Sequence, residues 1–137
     1  MKVLFVAGFG PIVPETATKA SSRFYAETLG IAFERDGDYL HTGSLGGVKH
    51  FALWPLSDAA RSCFDAPAWP SQHPIPQAWV EFEVDDVARA TFELKSRGYQ
   101  CLVANRTEPW GQTVSRLLGP ESLLVGLTHT PWLRDAD

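Results

Sequence analysis

Residues 79–98 read WVEFEVDDVARATFELKSRG, and the architecture is decided there. Trp79 to Val84 alternates two kinds of side chain with period two, the pattern of a strand with one buried face. Two aspartates follow, and either Asp85 or Asp86 is suited to cap a helix over Val87 to Arg97. Val87, Ala90 and Leu94 fall on one face of that helix, and Gly98 stands where it must turn out of the helical conformation. Val80, Phe82 and Val84 are expected to face the helices, which leaves Trp79, Glu81 and Glu83 on the opposite, concave side of the sheet. Beyond the helix, Tyr99–Ala104, Gln112–Leu118 and Leu123–Thr128 read as strands. The loop Glu108-Pro109-Trp110-Gly111 and the turn Gly119-Pro120-Glu121-Ser122 separate them.

The first half carries the same order of elements. An apolar run from Val3 continues past Gly8 to Val13, and Pro14-Glu15-Thr16 opens a helix with Thr16 or Thr18 as its N-cap. Ala17, Ala20, Phe24 and Leu29 supply its apolar positions, and Gly30 is placed to end it. Strands are expected over Ile31–Arg35, Tyr39–Thr42 and Val48–Trp54. Phe24 and Phe92 lie 68 positions apart, as do Gly30 and Gly98, and 68 is nearly half of the 137 residues. The chain therefore reads as a tandem βαβββ duplication of the α+β class, one domain over residues 1–137. Module one spans 1–54 and module two 77–130. Residues 55–76 hold five prolines and read as a connector, with Asp58–Phe64 as its helical stretch.

Composition narrows the function. Twelve Lys and Arg against sixteen Asp and Glu give a net charge of −4, and no basic cluster is present, so nucleic acid and anionic membrane are poor partners. No stretch has the length of a membrane span. Lys2 and the following apolar run imitate a leader, but Gly8, Gly10 and Pro11 break it, and no small-x-small cleavage site follows closely. Cys63 and Cys101 make neither a disulfide framework nor a zinc pattern, so a cytoplasmic location is expected. Five Trp in so short a chain is the unusual count.

Several words occur in an order that resembles the glyoxalase/bleomycin resistance/dioxygenase, or vicinal oxygen chelate, superfamily. They are Ser21-Ser22-Arg23-Phe24-Tyr25 with Leu29-Gly30, then Val80 to Val87, Gly98-Tyr99, Glu108 to Gln112, and the Gly119–Ser122 turn. The resemblance implies a cup-shaped mixed sheet of paired modules, completed in a homodimer that is domain-swapped in some members. In the metal enzymes of that group four strand positions supply His, Glu or Gln. Their counterparts here fall near Gly8-Phe9, near Ala52-Leu53, at Trp79 and at about Gly126, none of which suits a divalent cation. No metal and no cofactor is expected. The resemblance is greatest to the metal-free bleomycin-resistance type, whose cleft is lined by aromatic side chains.

The candidate ligand-binding residues are Trp79, Trp110, Glu81, Trp54, Phe51, Phe9, Gly126 and His41. Trp79 and Glu81 follow from strand alternation, and Trp110 from its loop between Pro109 and Gly111. Along Val48–Trp54, Phe51 and Leu53 face one side and His50, Ala52 and Trp54 the other, with the cup side left open between them. Trp69 and Trp132 read as packing staples, and His41 and His50 lie on neighbouring strands. The expected function is sequestration of a planar aromatic, cationic compound by stacking on Trp, of the antibiotic-resistance type. The alternative is a lyase, isomerase or dioxygenase, with a relocated metal on His41, His50 and Glu81 or acid–base chemistry at Glu81. A cup filled by its own side chains is the third reading.

Overall fold

The computed structural model describes residues 1–134. Each half folds as β-α-β-β-β, and the two halves join edge to edge into one eight-stranded mixed sheet. The first module supplies β1 (Val3–Val13), α1 (Thr18–Ser22), β2 (Glu34–Asp36), β3 (Tyr39–Thr42) and β4 (Phe51–Pro55). The connector contains α2 (Leu56–Phe64). The second module supplies β5 (Ala78–Val84), α3 (Val87–Ser96), β6 (Val103–Thr107), β7 (Thr113–Leu118) and β8 (Leu124–His129), and α4 (Pro131–Arg134) follows. The strand order β2-β3-β4-β1-β5-β8-β7-β6 repeats one arrangement on either side of a central seam, where β1 and β5 run antiparallel. In each half the first strand pairs in parallel with the last, β1 with β4 and β5 with β8.

Helix signals are honoured where a side chain can reach the backbone. Asp86 is the α3 cap, accepting from Arg89 N at 3.0 Å, while Asp85 accepts from Lys2 N at 3.1 Å. Val87 and Ala90 bury the inner face of α3 against Val84 and Leu127. The first helix departs from expectation: no side chain caps it, and Thr18 Oγ1 donates back to Glu15 O. From Arg23 to Thr28 it widens into a π turn, closed by Leu29 N donating to Phe24 O at 2.9 Å. The wider turn shifts the helical phase, so Phe24 and Leu29 are exposed and Tyr25 packs inward near Phe51. Several strands also start later than read: β2 at Glu34, β4 at Phe51 and β6 at Val103. Among the described residues no helix is long and apolar enough to cross a membrane.

The seam depends on two glycines of β1. Both face the concave side, under the indole of Trp79. A methyl group on Gly8 would stand 2.8 Å from the Trp79 ring, and one on Gly10 would overlap the carbonyl oxygen of Ala52. The obstruction at Gly10 is backbone and cannot rotate away. Gly10→Ala is therefore expected to cost about 3 kcal/mol or more. Gly46→Ala, with open space around the added methyl, is expected to change stability by less than about 0.5 kcal/mol. Urea denaturation midpoints of the two variants check the contrast.

Candidate functional site

The concave face encloses a cavity of about 680 Å³. Its walls come from both modules of one chain: Tyr39, His41, His50 and Trp54 from the first, and Trp79, Glu81, Trp110, Gln112 and Arg116 from the second. The connector contributes Asp58 and Ser62 on α2, Asp36 ends β2 at the mouth, and Trp132 and Leu133 stand on α4. Seven of the lining side chains are aromatic or heteroaromatic rings.

Trp79 forms the floor. It is 4% exposed, its Nε1 donates to Ala52 O at 3.3 Å, and Trp54 meets it edge-on with centroids 5.9 Å apart. Along one wall three rings lie side by side. Tyr39 stacks on His41 at 5.0 Å, and its hydroxyl lies 2.6 Å from His50 Nε2. The tyrosine hydroxyl is pushed well above its ordinary range, first by burial and then by the Glu81 carboxylate, so it stays protonated. His50 is held below its ordinary 6.5, first by burial and then by the neighbouring His41, so it is neutral at pH 7.

The facing wall is a closed network of charges. Arg116 is almost wholly buried on β7; its Nη2 meets Glu81 Oε2 at 3.3 Å, its Nη1 donates to Ser62 Oγ at 2.8 Å, and its guanidinium lies over Trp54. Glu108 stands 3.6 Å from Arg116 and accepts from Arg106 Nε at 2.9 Å. Arg106 also donates to Ser62 O at 2.6 Å, which ties α2 to β6. Gln112 donates to Glu81 at 3.1 Å and to Thr128 Oγ1 at 2.8 Å, and its carbonyl accepts from Trp110 Nε1 at 2.9 Å. The loop indole is thereby linked through Gln112 and Glu81 to the buried Arg116. Burying these charges is tolerable only because each finds partners.

Six of the eight residues singled out from sequence, Trp79, Trp110, Glu81, Trp54, His41 and Gly126, lie at or beside this cavity. Phe51 and Phe9 do not reach it. Phe51 packs with Val13, Leu40 and Tyr25 on the helix side of the sheet, and Phe9 lies against it at 6.4 Å, because both fall on the wrong parity of their strands. Gly126 makes room instead of contact: a methyl there would meet Glu81 Cγ at 2.9 Å. Trp69 is a staple, its Nε1 donating to Pro74 O at 3.0 Å and its ring edge-on to Phe64. Trp132, read as a staple too, lines the cavity. Sequence reasoning missed Tyr39, Gln112 and Arg116 as well. The signal for Arg116 was a charge inside the apolar strand Thr113–Leu118, a position that calls for a buried partner.

A family model described as the Glyoxalase/Bleomycin resistance protein/Dioxygenase superfamily matches residues 13–127. The chain belongs to that superfamily. A superfamily member from Vibrio splendidus 12B01 superposes with a TM-score of 0.63 at 12% identity, over 93% of this chain and 99% of that one. A hypothetical protein from Bacillus halodurans C-125 gives 0.54 at 17% identity, over 92% and 94%. Streptomyces coelicolor methylmalonyl-CoA epimerase, solved with 2-nitronate-propionyl-CoA, gives 0.53 at 13% identity, over 95% and 96%. At such identities the likeness establishes the fold alone. No curated protein matches the sequence.

The positions that the resemblance assigns to metal ligands do not form a donor set here. Gly8 and Gly126 have no side chain, Ala52 offers a methyl, and Trp79 gives an indole whose N–H is already donated. The space that first- and last-strand ligands would use is filled by side chains of β5, the Trp79 ring over Gly8 and the Glu81 methylenes over Gly126. Nor do His41, His50 and Glu81 gather elsewhere: among the described residues no three His, Cys, Asp or Glu side chains are grouped to hold a metal ion. Cys63, buried on α2, has its thiol pushed up to about 11 by burial and is inert as a nucleophile.

Two outcomes test the electrostatics. Arg116→Met leaves Glu81 without its cation and is expected to cost about 3–5 kcal/mol. The double variant Glu81→Gln/Arg116→Met should cost less than the single one, as urea denaturation would register. For His50, the folded state resists protonation, so the unfolded chain binds more protons as pH falls below the ordinary 6.5. Stability is thus full above that value and declines with acid. Melting temperatures at pH 7.5 and 5.5 should differ less in His50→Gln than in the unaltered protein.

Proposed function

We propose that this protein is a metal-free binder that sequesters a planar aromatic compound by stacking inside the cup. The observation that carries the reading is the lining itself: seven rings around about 680 Å³, with Trp79 as a buried floor where a metal-holding relative would need a donor. Stacking of a flat guest on such rings contributes affinity without any group of the protein having to change charge. Resistance to a toxic aromatic compound, by holding it stoichiometrically, is the role such a binder would serve.

The charge of the guest is read differently once the partners are known. Glu81 and Glu108 are both engaged by arginines, and Glu83 by Arg134, so the interior carboxylates offer no free negative site. A cationic substituent is better received at the mouth by exposed Asp36, in a protein of net charge −4, since Asp58 there is already paired with Arg61 at 3.3 Å. Both modules of one chain line the cup.

One observation favours a second reading. Glu81 is tied to Arg116 and Gln112, which makes it a poor general base, whereas neutral His50 hydrogen-bonded to Tyr39 is a pair able to exchange a proton with a guest. In that case the activity would be metal-free acid–base chemistry, an isomerase or lyase of the same superfamily.

Tryptophan fluorescence titrated with planar dyes distinguishes these readings. Proflavine, neutral acridone and anthraquinone-2-sulfonate form a charge series, with tetraethylammonium as a non-planar control. Saturable quenching by at least one planar dye is expected, strongest for proflavine, and Trp110→Ala should weaken it about tenfold, or about 1.4 kcal/mol. Quenching by none of the planar dyes overturns the stacking site. Conversion of the recovered dye would favour the enzyme.

A further inference from the structure

Glu83 carries a carboxylate into a fully buried place on β5, with no exposure at all, and the segment after β8 supplies its hydrogen-bond donors. Its Oε2 accepts from Thr130 N at 2.8 Å and from Arg134 Nε at 2.7 Å, and its Oε1 accepts from Thr130 Oγ1 at 2.5 Å. Arg134 also donates to Val84 O. Between these two anchors stand Trp132 and Leu133, and both line the cavity. Within the segment, Leu133 N donates to Thr130 O at 3.0 Å, which makes one helical turn. A turn this short has no stability of its own. Among the described residues, its hydrogen bonds to the rest of the protein run only to Glu83 and Val84.

A buried carboxylate is costly unless several donors converge on it. An apolar side chain at position 83 would suit a sealed core, and the strand alternation places Glu83 on the same concave face as Trp79 and Glu81. Its three hydrogen bonds to one short segment account for the charge. Trp132 is half exposed at the mouth, and Trp110, more exposed still, lines the same cavity from the loop before β7. An indole left half in solvent at a cavity mouth has a face to offer a guest.

We propose that residues 130–134 form a flap that completes the ligand site, with Trp132 and Leu133 as wall residues and Glu83 as the positioning residue that holds the flap closed. The flap rests on the reading of the cup as a site for planar aromatic compounds. It gives that site a specificity-determining outer wall, suited to a flat ring system. Opening it would release Thr130 and Arg134 from Glu83 and leave the strands untouched.

Proflavine dissociation kinetics and amide hydrogen exchange, read on the same variants, test the proposal. Glu83→Gln keeps the shape but loses the charge. Arg134→Ala removes the outer anchor at a partly exposed position and serves if the first variant fails to fold. Both should raise exchange at 130–134 at least tenfold while the β5 and β8 amides keep their protection. Both, and Trp132→Ala, should speed proflavine release about tenfold, with Trp132→Phe restoring most of the residence time. Unchanged exchange in the anchor variants overturns the latch, even if dye binds. Faster exchange with unchanged dye kinetics overturns the flap as part of the site. If the unaltered protein binds neither proflavine nor the other planar dyes, the binding reading fails, and the wall role of Trp132 falls with it, while the exchange result still judges the latch.

Discussion

The antiparallel pairing of β1 with β5 is the constraint on which the rest of the molecule depends. It turns two four-stranded halves into one sheet and sets their concave faces around a common space. The pairing holds Gly8 opposite Glu81 and Gly10 opposite Trp79. Because those two β1 positions have no side chain, the indole of Trp79 lies flat across them and reaches the Ala52 carbonyl. A side chain at Gly8 would push against the indole, and one at Gly10 would run into the backbone of Ala52. The floor of the cup and the joint between the modules are therefore one piece of packing.

That packing also determines what chemistry the cup supports. Where the superfamily's metal enzymes bring four donors together, this chain brings an indole, a methyl and two glycines. Charge enters from elsewhere, on Arg116 of β7, and is balanced locally by Glu81 and Glu108. The result is a cavity with an aromatic wall and an internally neutralised polar wall. Each polar group there has protein partners, so a guest meets few unpaired charges in the interior and many ring faces. At the mouth stand Asp36, which is exposed, and Asp58, which is paired with Arg61. In the proposed binder such a division would favour recognition by shape and stacking.

Much of the fold was legible because it rests on local signals. Period-two alternation placed Trp79 and Glu81 on the concave face, and the Asp86 cap and Gly98 bounded α3. The 68-residue spacing revealed the duplication. The first helix was less legible, since a π turn leaves no mark in composition and moved Tyr25 into the place expected of Phe24. Phe9 and Phe51 were expected at the cup by their chemistry, and strand parity places them on the other face of the sheet. Trp132 was missed because its position depends on Glu83, 49 residues away in a sequence that shows no connection between them. Arg116 and Gln112 were missed for the same reason: their partners lie on other strands and on α2.

By itself the sequence determined the two modules, their elements, the direction of each strand's faces and the lack of metal donors at four positions. These follow from periodicity, turn chemistry and side-chain identity, all properties of neighbouring residues. Only the tertiary structure decided that both modules of one chain line the cavity, that Glu81 is already spent on Arg116, and that a neutral His50 meets Tyr39. It also decided that residues of the proline-rich connector and of the segment after β8 line the cavity. The physical reason is that a buried charge takes its meaning from the partner the fold brings to it, and that partner is chosen by long-range pairing and not by spacing along the chain.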